Sequence, residues 1–211
     1  VDLLRSLRAA GVSVPVPFGA DPEGQFVFLE DVGHRTLLDV LESEDAGRWI
    51  RRALDQLIRV ETHLATTHAW SQRVIPGGRG SDLNRAWAAA LPEMMSGLRH
   101  VTGSPDRAAE ADIERLHDTL GRRPPRLGPI DYQPRNIAVA NRGPRVGILE
   151  LAKVGWDWTE RRAVQYTSPL ESSPSSRRLT GLDVTVAAMP TVESRCALDG
   201  HHLLFRLVHL G

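Results

Sequence analysis

Asp131 and Asn136 lie five positions apart in the segment Asp131-Tyr132-Gln133-Pro134-Arg135-Asn136, which runs into apolar Ile137-Ala138-Val139. A second acid, Glu150, follows 19 residues after Asp131, behind Gly147-Ile148-Leu149. A positioned carboxylate can orient a hydroxyl and accept its proton. Neighbouring oxygen donors can hold magnesium at phosphate groups. Phosphoryl transfer needs both in one pocket. An Asp and an Asn at this spacing on one rigid loop can face the same pocket, and a strand hairpin can bring the chain back with a further acid across it. Taken singly, Asp and Asn between apolar segments signal a turn, and Glu150 reads as a solvent-side strand residue. The set together is what points to chemistry.

The elements that must position this set are legible in outline. Leu3, Leu4, Leu7 and Ala10 have helical spacing, and Gly11 ends that helix. The prolines of 12–17 keep that stretch extended, 18–24 carries a turn signal, and 25–29 reads as a strand. Leu37, Leu38 and Leu41 suggest a short helix. From about Ala46 to Thr67 an apolar stripe recurs at three-and-four spacing, with Glu61 as its one charged member. Further helices are predicted over roughly 82–98 and 106–120, the latter capped by Asp106. Short strands at about 137–140 and 145–149 flank the turn Asn141-Arg142-Gly143-Pro144. Residues 168–178 are linker-like, and 179–211 is helical in part.

Composition bounds the function classes. The 211 residues carry 26 basic and 26 acidic side chains, so net charge gives no argument for nucleic acid or an anionic membrane. No run of four or more basic residues occurs, and no apolar run reaches the roughly 18 residues of a membrane span. The single cysteine, Cys196, leaves no internal disulfide and no cysteine metal cluster. A cytoplasmic location is the expectation. Lys153 is the sole lysine, so any lysine-dependent role has one candidate.

The loop, hairpin and second acid resemble the catalytic loop and metal-binding strand of the aminoglycoside phosphotransferase and choline kinase family. That resemblance implies an α+β, protein-kinase-like fold, with a mostly helical large lobe and a small β-hairpin carrying the metal site. It implies ATP and Mg2+ as cofactors and a small-molecule hydroxyl as acceptor. Asp131 would be the catalytic base, and Asn136 and Glu150 the magnesium ligands. Phe26 to Gly33 resembles the end of the family's amino-terminal lobe, so Phe28, Leu29, Glu30, Asp31 and Val32 would form the nucleotide-binding hinge. His63 falls near a histidine often seen in the family, although a helix-surface histidine is the simpler reading. Asp157, after Gly155 and Trp156, resembles an aspartate that supports the catalytic loop. Trp156 and Trp158 read as core or substrate wall, with core favoured.

Three departures accompany the resemblance. The phosphate-covering loop and strand lysine of the family have no counterpart, and the chain starts at Val1. The expected division is therefore a remnant of the amino-terminal lobe and hinge over 1–33 and the helical carboxyl-terminal lobe over 34–211, with the earlier part of the first lobe truncated. Pro129 stands where the family usually has a histidine that braces the loop. Glu150 stands where the family has an aspartate, and its extra methylene shifts the carboxylate in a site that tolerates little error. The alternative to an active kinase is thus a non-catalytic, kinase-like binding protein.

Overall fold

A computed structural model describes residues 1–21, 23, 26–41, 43, 45–66, 68–71, 74–75, 77–104, 106–140, 145–151, 153–167 and 185–210. The expected turn at 141–144 and linker at 168–178 lie outside the described residues. Helix α1 (Asp2–Ala9) leads through an extended segment into the antiparallel pair β1 (Pro17–Asp21) and β2 (Phe26–Leu29). A 3-10 turn at Leu38–Val40 precedes α2 (Ala46–Thr66) and the short α3 (His68–Ser71). Helices α4 (Gly80–Thr102) and α5 (Arg107–Gly121) follow. Then come β3 (Arg126–Pro129), β4 (Ile137–Val139), β5 (Val146–Ile148) and β6 (Val154–Asp157). Helices α6 (Thr159–Thr167) and α7 (Val192–Leu210) complete the described chain. Helices thus dominate and strands come as three short antiparallel pairs, in keeping with the α+β, kinase-like fold expected from the sequence.

Local chemistry accounts for most of these elements. The stripe on α2 buries Trp49, Ile50, Ala53, Leu54, Leu57, Val60 and Leu64. Asp106 caps α5, its carboxylate accepting from the Ala109 amide at 2.7 Å. Two strands, β3 and β6, differ from expectation. They pair antiparallel across a separation in sequence of about thirty residues, with Gly128 opposite Gly155 and Pro129 opposite Val154. A segment reading Arg-Leu-Gly-Pro has weak strand propensity, so the pairing is a tertiary outcome. Pro17–Asp21 is likewise a strand where a turn signal was read, because it pairs with β2.

The core has two parts. One joins α1, α2, β4, β5 and the loop residue Tyr132, and the other joins α4, α5 and α7 around Trp87 and Trp158. In the second, Trp87 stacks on His117 with ring centroids 4.7 Å apart. His201 packs edge-on against Trp87, and burial lowers its pKa from 6.5 to about 3. Among the described residues, no helix is long and apolar enough to cross a membrane.

Candidate functional site

The loop that carries Asp131 is anchored on every side. Ile130 donates its amide to the Lys153 carbonyl at 3.0 Å, extending the β3–β6 pairing up to Asp131. The Tyr132 side chain is buried and its hydroxyl donates to the Ala53 carbonyl of α2 at 2.6 Å. Pro134 then starts a 3-10 turn over Pro134–Asn136, where its missing N–H costs nothing. Asn136 closes the loop, donating from Nδ2 to the Asp131 carbonyl at 3.1 Å. That bond commits the amide nitrogen to the loop and leaves Oδ1 as the group's available acceptor.

The hairpin delivers Glu150 next to this loop. Leu149 donates its amide to the Asn136 carbonyl at 2.9 Å, one step beyond the Ile137–Ile148 pair. Glu150 is the next residue, so the structure sets Asn136 and Glu150 on neighbouring strand ends. Asp131, Asn136 and Glu150 are each partly buried. An amide oxygen and a carboxylate are the hard oxygen donors that magnesium takes, so the donor set fits that ion chemically.

Residues 35–37 run along β4: Leu37 donates to the Ile137 carbonyl, Val139 donates to the Arg35 carbonyl, and Thr36 pairs with Ala138. Asp39 holds this segment, accepting from the Thr36 amide at 2.7 Å and from its hydroxyl at 2.8 Å. Those bonds lower the Asp39 pKa, the backbone one most. The strap ties the segment that follows β2 to the hairpin. A cavity of about 280 Å³ lies between them, lined by Glu30, Asp31 and Val32, by Ala138 and Gly147 of the hairpin, and by Arg8. Glu30 also accepts from the Val16 amide at 3.0 Å, and Asp31 accepts from the Gly33 amide at 2.8 Å. Of the five hinge residues expected at the nucleotide, three line this cavity. Phe28 and Leu29 lie on β2, exposed, outside its lining.

Other expectations sort differently. The Asp157 carboxylate turns to the start of α6, accepting from the Trp158 amide at 2.8 Å and pairing with Arg161 at 3.1 Å. In these bonds it meets α6 rather than the Asp131 loop. His63 meets the Ser6 hydroxyl at 2.7 Å and so links α2 to α1. Trp158 is core, with its indole N–H donated to the Arg123 carbonyl. Lys153 is exposed, and it is its backbone carbonyl that serves the loop.

Sequence reasoning missed Arg162, Glu61 and Thr159. Arg162 is wholly buried, and its Nη1 meets Glu61 Oε1 at 2.6 Å. Glu61 Oε2 accepts from the Thr159 hydroxyl at 2.5 Å. Burial pushes the Glu61 carboxyl upward, while Arg162 and Thr159 pull it back. The net direction is upward, so burial outweighs the pull of Arg162 and Thr159 at Glu61. The one available signal was Glu61 itself, a charge in an otherwise apolar stripe.

No family model matches the sequence. An N-acetylmuramate/N-acetylglucosamine kinase of Pseudomonas aeruginosa is 30% identical over 150 residues, which are 68% of this chain and 41% of that kinase. The chain thus spans less than half the length of the curated relative it matches. A solved aminoglycoside-3'-phosphotransferase of type VIII aligns with 98% of this chain and 78% of its own, at a TM-score of 0.48 and 16% identity. The curated relative is, by its name, a small-molecule kinase. The kinase match and the Asp131–Asn136 loop support an aminoglycoside phosphotransferase-like kinase family for this chain.

Proposed function

We propose that the chain forms the hinge and helical lobe of an ATP-dependent small-molecule kinase, transferring the γ-phosphate to a substrate hydroxyl. In this reading residues 1–33 carry the end of the amino-terminal lobe and the hinge, and 34–211 the helical lobe. The observation that carries it is the closure of one loop on one hairpin: Asn136 holds Asp131 through Nδ2 and pairs through its carbonyl with Leu149, next to Glu150. Asp131 orients the acceptor hydroxyl and takes its proton as the phosphoryl group arrives. Asn136 Oδ1 and the Glu150 carboxylate would hold Mg2+, which supplies charge neutralisation at the nucleotide phosphates when bound. Glu30, Asp31 and Val32 offer backbone and side-chain groups to the nucleotide, with Phe28 and Leu29 as apolar cover. The cytoplasm, where ATP is available, is the matching compartment.

The acceptors to test first are N-acetylglucosamine and N-acetylmuramate, because the curated relative is named for them. Turnover with Mg2+-ATP is expected, and Asp131→Asn should lower it by about 10²–10⁴-fold. Turnover indifferent to Asp131→Asn would refute the assignment. Glu150 in place of aspartate favours a second reading, a non-catalytic kinase-like binding protein. Calorimetry that finds Mg2+-ATP binding without turnover on any acceptor would select it.

A further inference from the structure

The guanidinium of Arg162 has five N–H donors, and the structure gives an acceptor for each. Nε donates to the Pro129 carbonyl at 2.7 Å. Nη1 donates to Glu61 Oε1 at 2.6 Å and to the Asp157 carbonyl at 3.2 Å. Nη2 donates to the Gly155 carbonyl at 2.8 Å and the Arg126 carbonyl at 3.1 Å. Four of these acceptors are backbone atoms of β3 and β6, the strands that run to and from the Asp131–Glu150 region. The fifth belongs to α2. Gly128 leaves the room: a Cβ there would lie 2.9 Å from the Arg162 Cζ. Pro129 has no side-chain donor or acceptor with which to brace the loop two residues later.

We propose that Arg162, held by Glu61 and Thr159, is the positioning residue of the Asp131 loop. The claim rests on the kinase reading for its consequence in turnover, but not for its consequence in the loop. A planar, five-donor fork fixes several carbonyls at once, which a point charge cannot do. Strand β3 is only four residues long and, among the described residues, pairs with β6 alone, so this fork joins the short ladder and the Ile130–Lys153 bond in setting its end at Pro129. Asp131 follows two residues on, and a shift of about 1 Å at a reacting group can cost roughly a hundredfold in rate.

Arg162→Lys keeps a cation opposite Glu61 and removes the fork. Measured on the full chain, kcat with Mg2+-ATP should fall about 10- to 100-fold while the KM for ATP stays within about twofold. Hydrogen exchange at Ile130 and Asn136 should accelerate, with the amides of α4 and α7 unchanged. Thr159→Val, which removes only the hydroxyl bond to Glu61, should show the same pattern more weakly and decides the matter if Arg162→Lys does not fold. A folded variant with kcat within about twofold of wild type, or exchange that accelerates evenly across the chain, overturns the proposal. If the wild-type chain has no turnover, the kinase reading fails on its own, and the exchange pattern alone decides whether Arg162 braces the loop.

Discussion

Among the described residues, two short apolar β-hairpins have opposite fates. In β1–β2 the apolar side chains are exposed: Phe18 at 70%, Phe26 at 66% and Phe28 at 58%. In β4–β5, Ile137, Val139, Val146 and Ile148 are each 3% exposed or less. The second pair is packed against α2 and the amino-terminal segment, with Ser13 bridging them: its carbonyl accepts from the Ile148 amide and its amide donates to Gln56 Oε1. Among the described residues, the first pair has its own ladder, the Val16–Glu30 bonds and an Arg8–Glu30 ion pair at 3.9 Å. A two-stranded hairpin alone is marginal. Strand character is therefore not what encloses a region here. The enclosed hairpin is the one on which the proposed chemistry depends.

The largest expected effect lies in the buried hairpin. Ile137→Ala removes a side chain with no exposed area and should cost about 2–5 kcal/mol, read from urea denaturation. A loss under about 1 kcal/mol would mean that the two hairpins are not so different. Next comes the β3–β6 pair, which is held by a polar fork. Gly128→Ala puts a methyl against the Arg162 guanidinium, and such overpacking should cost about 1–3 kcal/mol by the same measurement.

Acid tests whether the buried hairpin draws on the helical half. His201 titrates near 6.5 when unfolded and about 3 when folded. Between those values the unfolded chain binds the proton and the folded one does not, so stability falls as pH falls from about 6.5 toward 3. At pH 5 the loss from this group should be about 2 kcal/mol. His201→Phe should flatten that part of the profile. If tryptophan fluorescence and hairpin hydrogen exchange report one shared acid transition, the halves unfold as a unit. The smallest effect is expected at Phe28→Ser, within about 0.5 kcal/mol of wild type in stability. A drop in ATP affinity with unchanged stability would give the exposed hairpin its role at the nucleotide.

Legibility followed the range of the interactions. Helices α1, α2, α4 and α5 were readable because an amphipathic stripe and a cap such as Asp106 are local signals. The β4–β5 hairpin and its flanking Asp131, Asn136 and Glu150 were readable for the same reason, being close in sequence. The pair β3–β6 was not, since it joins segments separated by the loop and the hairpin, and neither Arg-Leu-Gly-Pro nor Val-Gly-Trp-Asp signals a strand by itself. Arg162 was invisible because an arginine two residues after an acid on a helix reads as a solvated side chain. Only its distance to five acceptors marks it otherwise.

Residue order alone determined the chemistry on offer: a carboxylate, an amide and a second acid at a spacing that one loop and one hairpin can close. Those are short-range facts, settled by chain length between residues and by β propensity. Which groups would stand around the loop was decided only in three dimensions. Burial strips water from Arg162 and Glu61, so each must find its partners within the protein, and the carbonyls that satisfy the guanidinium are those of the strands beside Asp131. Tertiary packing also decided which of two apolar hairpins is enclosed, because burial depends on what the rest of the chain lays over a strand.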